Sequence, residues 1–403
     1  MKHLIIGAGA AGISAAKTIR ELSKTDEIVI VSKDDSIHSR CMLHKLISGQ
    51  RDEKALSFIP DGFFEEQGID WLSGQGVTSI DTAGQRAYLE GGSIDYDRLL
   101  IASGAVSVIP PVGALRTAGN VYGLRHLSDA RRIKAANVTD VAVIGAGLVG
   151  LDAAWGLLEL GRTVTVVEMG ERILPLNLNK RAAQPYLEKF QEHGCRFELS
   201  RRVMDTKCDD RGNVTGILLD NGEVISCGMV IAAAGVRPAL GFLDGSGIIA
   251  DRGIKVNDRL ETSIGGVYAA GDVTGLSGIW PNAVIQGRTA ALGMCGQQAL
   301  YDDTYAMKNT LNFYGLNTLS LGQTEPDEGD MVYEREDKSG YRRVIISGGA
   351  VKGIIIQGDI GQSGFWQELI KRKIDISTKG SVWSLSYADF YETLENGEYT
   401  WAV

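Results

Sequence analysis

Short apolar runs alternate along the chain with longer segments of mixed polarity, and the alternation occurs twice in the same form. Residues 3–31 read as a strand (His3–Ile6), a Gly-rich turn (Gly7–Gly12), a helix (Ile13–Ser23) and a second strand (Ile28–Val31). Residues 141–168 repeat the plan: strand Val141–Ile144, turn Gly145–Gly150, helix Leu151–Leu160, strand Thr163–Val167. Gly161 stands where a helix C-terminal stop belongs. Strand and helix in alternation predict right-handed βαβ units and a parallel sheet, twice over.

The rest of the pattern is punctuated by turns. Tyr88–Leu89 and Arg98–Ile101 read as strands, with turns at Glu90–Gly92 and Gly104. Val108–Gly113, with Pro110 and Pro111, reads as a linker. Val214–Leu219 and Glu223–Ile225 flank Asp220-Asn221-Gly222, a hairpin signal, and Met229–Ala234 is a buried strand. A third section begins near residue 300, with strand-like runs at Arg343–Ile346 and Gly353–Gln357 and a helical stretch Gly364–Arg372.

Length and composition narrow the class. A chain of 403 residues is long for one domain and suggests two or three. The 51 glycines against 8 prolines point to tight turns and to backbone that approaches ligands closely. A net charge of -9, without a basic stripe, argues against a nucleic-acid partner. No apolar window reaches the roughly 18 residues of a membrane helix, so no membrane partner is expected. The five cysteines form no CxxC pair, which argues against a disulfide framework and against a metal or iron–sulfur site of the usual spacing. The apolar N-terminus is broken by glycines and lacks a cleavage pattern, so it does not read as a signal peptide, and the cytoplasm is the expected location.

The candidate chemistry lies in the turns. Gly7-Ala-Gly9-Ala-Ala11-Gly12 follows a strand and precedes a helix. In such a turn the first glycine permits the bend, the second admits a pyrophosphate, and the third lets helix and strand pack closely. The helix N-terminus then presents its positive end to the phosphates. Gly145-Ala-Gly147-Leu-Val-Gly150 is a second copy, and Glu168 ends its next strand, where an acid accepts hydrogen bonds from a ribose and repels a 2′-phosphate. That favours NAD over NADP. In the first copy the matching place carries Ser32-Lys33-Asp34 instead of a clean acid. Leu99–Ala105, which holds Ala102 and Gly104, and Met229–Pro238, which holds Gly235, each read as a strand ending in small residues and a turn. Thr262–Asp272 delivers an Asp at the Gly271 turn just before a helix-compatible stretch.

Together these segments resemble the pyridine nucleotide–disulfide oxidoreductase superfamily: GAGAAG, LLIASGA, GAGLVG with VVEMGERILP, VIAAAGVRPA and TSIGGVYAAGD, in that order. The resemblance covers essentially the whole chain. It implies an α/β fold with two Rossmann-like nucleotide-binding domains and a small α+β C-terminal domain. The FAD domain would comprise residues 1–110 and 233–300, the inserted NAD domain 111–232, and the C-terminal domain 301–403. It further implies that Asp272 binds the ribityl–phosphate part of FAD, that Val77 makes a backbone contact to adenine, and that the segment from Trp280 to Gly287 points a helix N-terminus at the flavin.

Within that superfamily the stretch Ile37–Gly49 separates subgroups. It carries one cysteine, Cys41, so the CxxxxC dithiol chemistry of glutathione reductase and lipoamide dehydrogenase is excluded. Arg40, Leu43, Lys45 and Gly49 resemble the Tyr-x-Arg-x-x-Leu-x-Lys-x-x-x-Gly pattern of rubredoxin reductases, ferredoxin reductases and the nitrite reductase flavin domain, although His38 and Ser39 depart from it at the aromatic positions. Cys41 also matches the single redox cysteine of coenzyme A–disulfide reductase, NADH peroxidase and NADH oxidase. The short C-terminal section resembles the first group. By resemblance Lys45 sits at the flavin N5 edge and pairs with Asp152. Cys41 begins a helix-like run with His44 three residues on, features that lower a thiol pKa; as a lone cysteine it is otherwise a small apolar residue. The expectation is an enzyme with FAD and NAD as cofactors that takes hydride from NADH and passes electrons to a small redox protein such as rubredoxin, ferredoxin or an iron–sulfur subunit. A Cys41-based reductase of a disulfide, persulfide or peroxide, and a non-catalytic FAD-binding sensor or subunit, are the alternatives. The sequence does not set the oligomeric state, a homodimer included.

Overall fold

The strand Lys2–Ile6 lies in the middle of a five-stranded sheet, and Asp140–Ile144 lies in the middle of another. These and all other elements come from a computed structural model that describes residues 1–303 and 308–401. The first sheet runs in the order Val267–Ala269, Arg98–Ile101, Lys2–Ile6, Glu27–Val31, Ile69–Leu72, with every neighbouring pair parallel. The second runs Arg196–Leu199, Thr163–Glu168, Asp140–Ile144, Met229–Ala232, Val121–Tyr122, again all parallel. Leu4, Ile5, Val143, Val166 and Ile231 are wholly buried. Strands covered on both faces need such unbroken apolar runs. The fold is therefore mixed α/β with two Rossmann-like sheets, as the repeated pattern predicts.

Both helices after the Gly-rich turns start three residues earlier than the apolar pattern suggests, at Ala10 and Leu148. The reason is steric. A Cβ on Gly12 would lie 1.9 Å from the Gly7 carbonyl oxygen, and one on Gly150 would lie 1.9 Å from that of Gly145. The last glycine of each turn is thus already inside the first helical turn, pressed on the loop that enters it. Gly7 and Gly145 hold φ of 112° and 106°, a region closed to other residues at low cost.

The expected hairpin at Asp220–Gly222 joins Val214–Leu219 to Val224–Ser226 within a three-stranded antiparallel sheet. A second three-stranded sheet comprises Val77–Asp81, Arg86–Leu89 and Gly92–Asp95. Ala105–Ser107 pairs with Val236–Pro238 as an antiparallel ribbon, so the chain's two passages between the parallel sheets run side by side.

The chain divides into two compact units, Met1–Glu171 with His193–Thr304 and Arg172–Glu192 with Tyr305–Val403. The second unit holds a five-stranded antiparallel sheet in the order Lys308–Phe313, Leu316–Gly322, Ala350–Gly358, Gly340–Ser347, Met331–Asp337. The helix Ser363–Arg372 lays Phe365, Trp366, Leu369 and Ile370 on it. A tight turn at Tyr314-Gly315, both with positive φ, closes the first hairpin. The helix Lys180–Glu192 also belongs to this unit: Tyr186 donates its hydroxyl to the Leu316 carbonyl at 2.7 Å, and Gln357 donates to that of Ala182 at 3.0 Å.

Candidate cofactor site

The first unit contains a deep cavity at the C-terminal ends of the Lys2–Ile6 sheet. Gly7, Gly9 and Ala11 of the first turn line it, as do Arg40, Cys41, Val77, Ala102, Gly104, Gly271 and Asp272. These come from five segments that are far apart in sequence. The roles of the glycines in the first turn can be read from the space around them. A Cβ on Gly7 would meet the Ala102 carbonyl oxygen at 2.2 Å, Gly12 underpins the turn, and Gly9 has nothing within 4 Å of where a Cβ would sit. The turn is rigid behind and open in front, which is the arrangement a pyrophosphate requires.

A charged network fixes the cavity wall. Arg125 donates from Nη2 to Asp272 Oδ2 at 2.6 Å and from Nε to the Ala105 carbonyl at 2.7 Å. Arg40 donates from Nη1 to the Arg125 carbonyl at 2.7 Å and from Nη2 to Asp34 Oδ2 at 2.8 Å. The other Asp34 oxygen meets His126 Nδ1 at 2.7 Å. Burial alone would raise the Asp34 carboxyl, but the His126 hydrogen bond and the Arg40 charge outweigh it and hold it down at about 2. Asp272 begins a single 3₁₀ turn after Gly271, whose N–H donates to Gln286 Oε1 at 2.7 Å. Gln286 lies on the helix Trp280–Met294, and Trp280 and Ala283 from its first turn line the cavity. That helix packs tightly on Ala10–Leu22: a Cβ on Gly287 would lie 2.1 Å from the Ala11 carbonyl oxygen.

Arg125 and His126 carry no motif, and sequence reasoning passes over them. The only local signal is a basic pair just before the helix Leu127–Ala135, with Asp129 three residues into it. Asp129 Oδ2 accepts the N–H groups of both Arg125 and His126, at 3.1 and 2.9 Å, and so aims the pair.

The second Gly-rich turn repeats the first in detail. A Cβ on Gly145 would meet the Ala233 carbonyl oxygen at 2.5 Å, Gly150 underpins the turn, and Gly147 is open. Glu168 stands at the end of its strand, Oε2 accepting from the Ala146 N–H and Oε1 from that of Gly170, each at 2.7 Å. The acid is held against the turn that would carry the dinucleotide. Gly235 lies just before the Val236–Pro238 ribbon strand with φ 106°, and its carbonyl accepts from Val108 N–H at 2.9 Å.

Three expected reactive residues lie in a different arrangement from the one the sequence suggests. Lys45 and Asp152 are not among the cavity-lining residues. The Lys45 ammonium sits 3.8 Å from the centre of the Trp155 ring and donates to Gln50 Oε1 at 3.0 Å. The Asp152 carboxyl faces His44 Nδ1 at 3.4 Å, while Lys45 and Asp152 act on each other through their charges. Cys41 does open onto the cavity, where the charges of Arg125 and Arg40 favour its thiolate but are outweighed. It lies in the 3₁₀ turn Arg40–Met42 ahead of a helix of only five residues, Leu43–Ile47. Burial, then the charges of Asp152 and Asp272, push its thiol up. His44 is itself pushed down to about 4 by burial and by Lys45 and Arg51, so it brings no positive charge near neutral pH. The expectation of an acidified thiol is therefore reversed: burial and the nearby acids Asp152 and Asp272 outweigh the Arg125 and Arg40 charges.

The residues fit a flavin adenine dinucleotide. The turn of Gly7, Gly9 and Gly12 is open at Gly9, the guanidinium groups of Arg40 and Arg125 line the same cavity, and so does the Asp272 carboxylate held by Arg125. Comparison with known proteins agrees. Residues 1–287 match the family model described as pyridine nucleotide-disulphide oxidoreductase, and residues 308–374 match the rubredoxin NAD+ reductase C-terminal domain. The chain is 30% identical over 393 residues to the NADH-dependent phenylglyoxylate dehydrogenase subunit epsilon of Aromatoleum evansii, covering 93% of each. It is 27% identical over 367 residues to the NADH-rubredoxin oxidoreductase of Clostridium acetobutylicum, covering 89% of this chain and 91% of that one. The crystal structure of the ferredoxin reductase for the CYP199A2 system of Rhodopseudomonas palustris superposes with a TM-score of 0.84 at 25% identity, over 94% of this chain and 97% of that one. On the strength of the match over residues 1–287, the chain belongs to the pyridine nucleotide–disulphide oxidoreductase family and is an oxidoreductase that uses FAD and NAD.

Proposed function

We propose that this protein oxidises NADH and delivers the electrons to a small redox protein, either rubredoxin or an iron–sulfur partner or subunit. The observation that carries this reading is the second unit: residues 308–374 match a domain described from rubredoxin NAD+ reductase. Relatives named for NADH–rubredoxin, ferredoxin and putidaredoxin reduction support it. FAD, when bound, accepts hydride at the flavin and gives the electrons up again. The chain's own part is to bind, orient and tune. We assign the FAD domain to residues 1–110 and 233–300 and the NAD domain to 111–232. In this reading Gly7, Gly9, Ala11 and Gly12 hold the FAD pyrophosphate, with Arg40 beside it. Asp272, held by Arg125, takes the ribityl end, while Val77, Ala102 and Gly104 take the walls. Gly145, Gly147 and Gly150 hold the dinucleotide of NADH. Glu168 receives the ribose hydroxyls on the lone pairs that Ala146 and Gly170 leave free, and repels a 2′-phosphate.

A Cys41-based reductase is the second reading, favoured by one observation: Cys41 lines the cavity. The raised thiol counts against it, because the thiolate is the reactive form. Stopped-flow reduction by NADH, followed by mixing with rubredoxin, ferredoxin, a low-molecular-weight disulfide or peroxide, separates the two. Fast electron loss to the protein acceptors alone supports the first reading. Fast loss to the disulfide or peroxide alone sinks it.

A further inference from the structure

The helix Leu43–Ile47 packs against the helix Leu148–Glu159, which opens at the second Gly-rich turn. The contact is close at Gly156, where a Cβ would lie 2.8 Å from the His44 carbonyl oxygen. Into it the first helix sends His44 and the second sends Asp152 and Trp155. His44 Nδ1 lies 3.4 Å from Asp152 Oδ1, and the imidazole meets the Trp155 ring edge-on at 5.5 Å. The Lys45 ammonium, on the same helix as His44, is engaged by Trp155 and Gln50.

We propose that His44 and Asp152 form a hydrogen-bonded pair holding one proton, carried on the Asp152 carboxyl, and that His44 is the positioning residue that keeps this acid uncharged beside the cofactor site during hydride uptake from NADH. The proposal rests on NADH oxidation and not on the identity of the acceptor.

The physical case has three parts. Taking two opposite charges out of water costs several kcal/mol per ion, and only close geometry with further hydrogen bonds offsets it. A separation of 3.4 Å is long for a charge-assisted bond, which falls near 2.7–2.9 Å. A neutral acid donating to a neutral imidazole avoids that cost. Second, the charges around the pair oppose an imidazolium: Lys45 and Arg51 face His44 from its own segment, and Lys134 of the helix Leu127–Ala135 approaches at Gly49. Third, burial raises the Asp152 carboxyl to about 8, with Lys45 opposing weakly, even though a quarter of its side chain remains accessible. Cys41 on the cavity wall feels the same carboxyl, so loss of the proton would place a negative charge beside the site where hydride arrives. Glu159, one turn beyond Trp155, acts on Lys45 and not on this pair.

Infrared difference spectra of the FAD-loaded enzyme, wild type against Asp152→Asn, test the proposal directly. The wild type should show a neutral-carboxyl stretch at pH 7 that disappears with a midpoint near 8 and is missing from Asp152→Asn. His44→Leu should shift the frequency of that band, because the acid loses its acceptor, and His44→Gln, whose amide oxygen can still accept, should restore it. The rate of flavin reduction by NADH should fall by about fivefold between pH 7 and pH 9.5 in the wild type and stay flat in Asp152→Asn. Absence of the band, a band that His44→Leu leaves in place, or a flat wild-type rate profile each overturns the proposal. NADH oxidation with a dye at pH 7 reports separately whether the enzyme is an NADH reductase at all.

Discussion

Arg125 and Asp272 are joined at 2.6 Å across the cavity wall, although the motif that reveals Asp272 contains nothing that reveals Arg125. Both side chains are largely buried, at 14% and 21% exposure. Removing the guanidinium leaves a half-enclosed carboxylate without its partner. Hydrogen bonds to charged groups contribute about 1.5–3 kcal/mol. Arg125→Met should therefore weaken FAD binding by roughly tenfold or more. The check is flavin retained on gel filtration, together with the FAD titration of the stripped protein. Wild-type affinity would mean that Asp272 needs no partner.

The Asp34 carboxyl, held at about 2, makes acid stability measurable. Its folded value lies below the unfolded value of about 4, so its contribution is complete above pH 4 and is lost as pH falls toward 2. The contribution is on the order of 2 kcal/mol. Asp34→Asn should show lower stability than wild type at pH 6 and converge with it near pH 2, by thermal or urea unfolding. Parallel curves over that range would remove Asp34 from the account.

Steric demands at the two turns predict separable losses. Gly12→Ala puts a Cβ against the Gly7 carbonyl and should abolish FAD binding. Gly150→Ala does the same to Gly145 and should leave the protein yellow, while reduction by NADH falls by at least about tenfold. Flavin absorbance and NADH single turnover read the two outcomes independently.

Glu168 carries two predictions in one side chain. Its oxygens hold the Ala146 and Gly170 N–H groups, so Glu168→Ala should raise the apparent NADH constant by loosening the turn. It should also narrow the preference for NADH over NADPH, since the charge that repels a 2′-phosphate is gone. Steady-state kinetics with both nucleotides measure each effect. An unchanged ratio would locate cofactor discrimination elsewhere.

The parts of this molecule that were legible in the sequence are those where the backbone itself is constrained. Gly7, Gly12, Gly145 and Gly150 announce their turns because no other residue fits the space, and the unbroken apolar strands announce a sheet covered on both faces. The Met331–Asp337 strand was not legible: it is exposed along its whole length at a sheet edge and shows no buried alternation. Arg125 and His126 were hidden for another reason. Their partners Asp272 and Asp34 are brought to them only by the tertiary fold. The Lys45–Asp152 expectation turned on side-chain direction, which sequence spacing does not encode. Trp155 offers the lysine an aromatic face, and His44 meets the acid.

The central claim is that electrons from NADH pass through the flavin to a redox protein without help from the Cys41 thiol. The most direct measurement is single-turnover and steady-state NADH:rubredoxin activity of Cys41→Ser beside the wild type, at equal flavin content. Because the Cys41 thiol is pushed up, away from its reactive form, the account predicts NADH reduction and rubredoxin turnover within about twofold of wild type. Loss of turnover with every acceptor in a fully flavinated Cys41→Ser enzyme would contradict it.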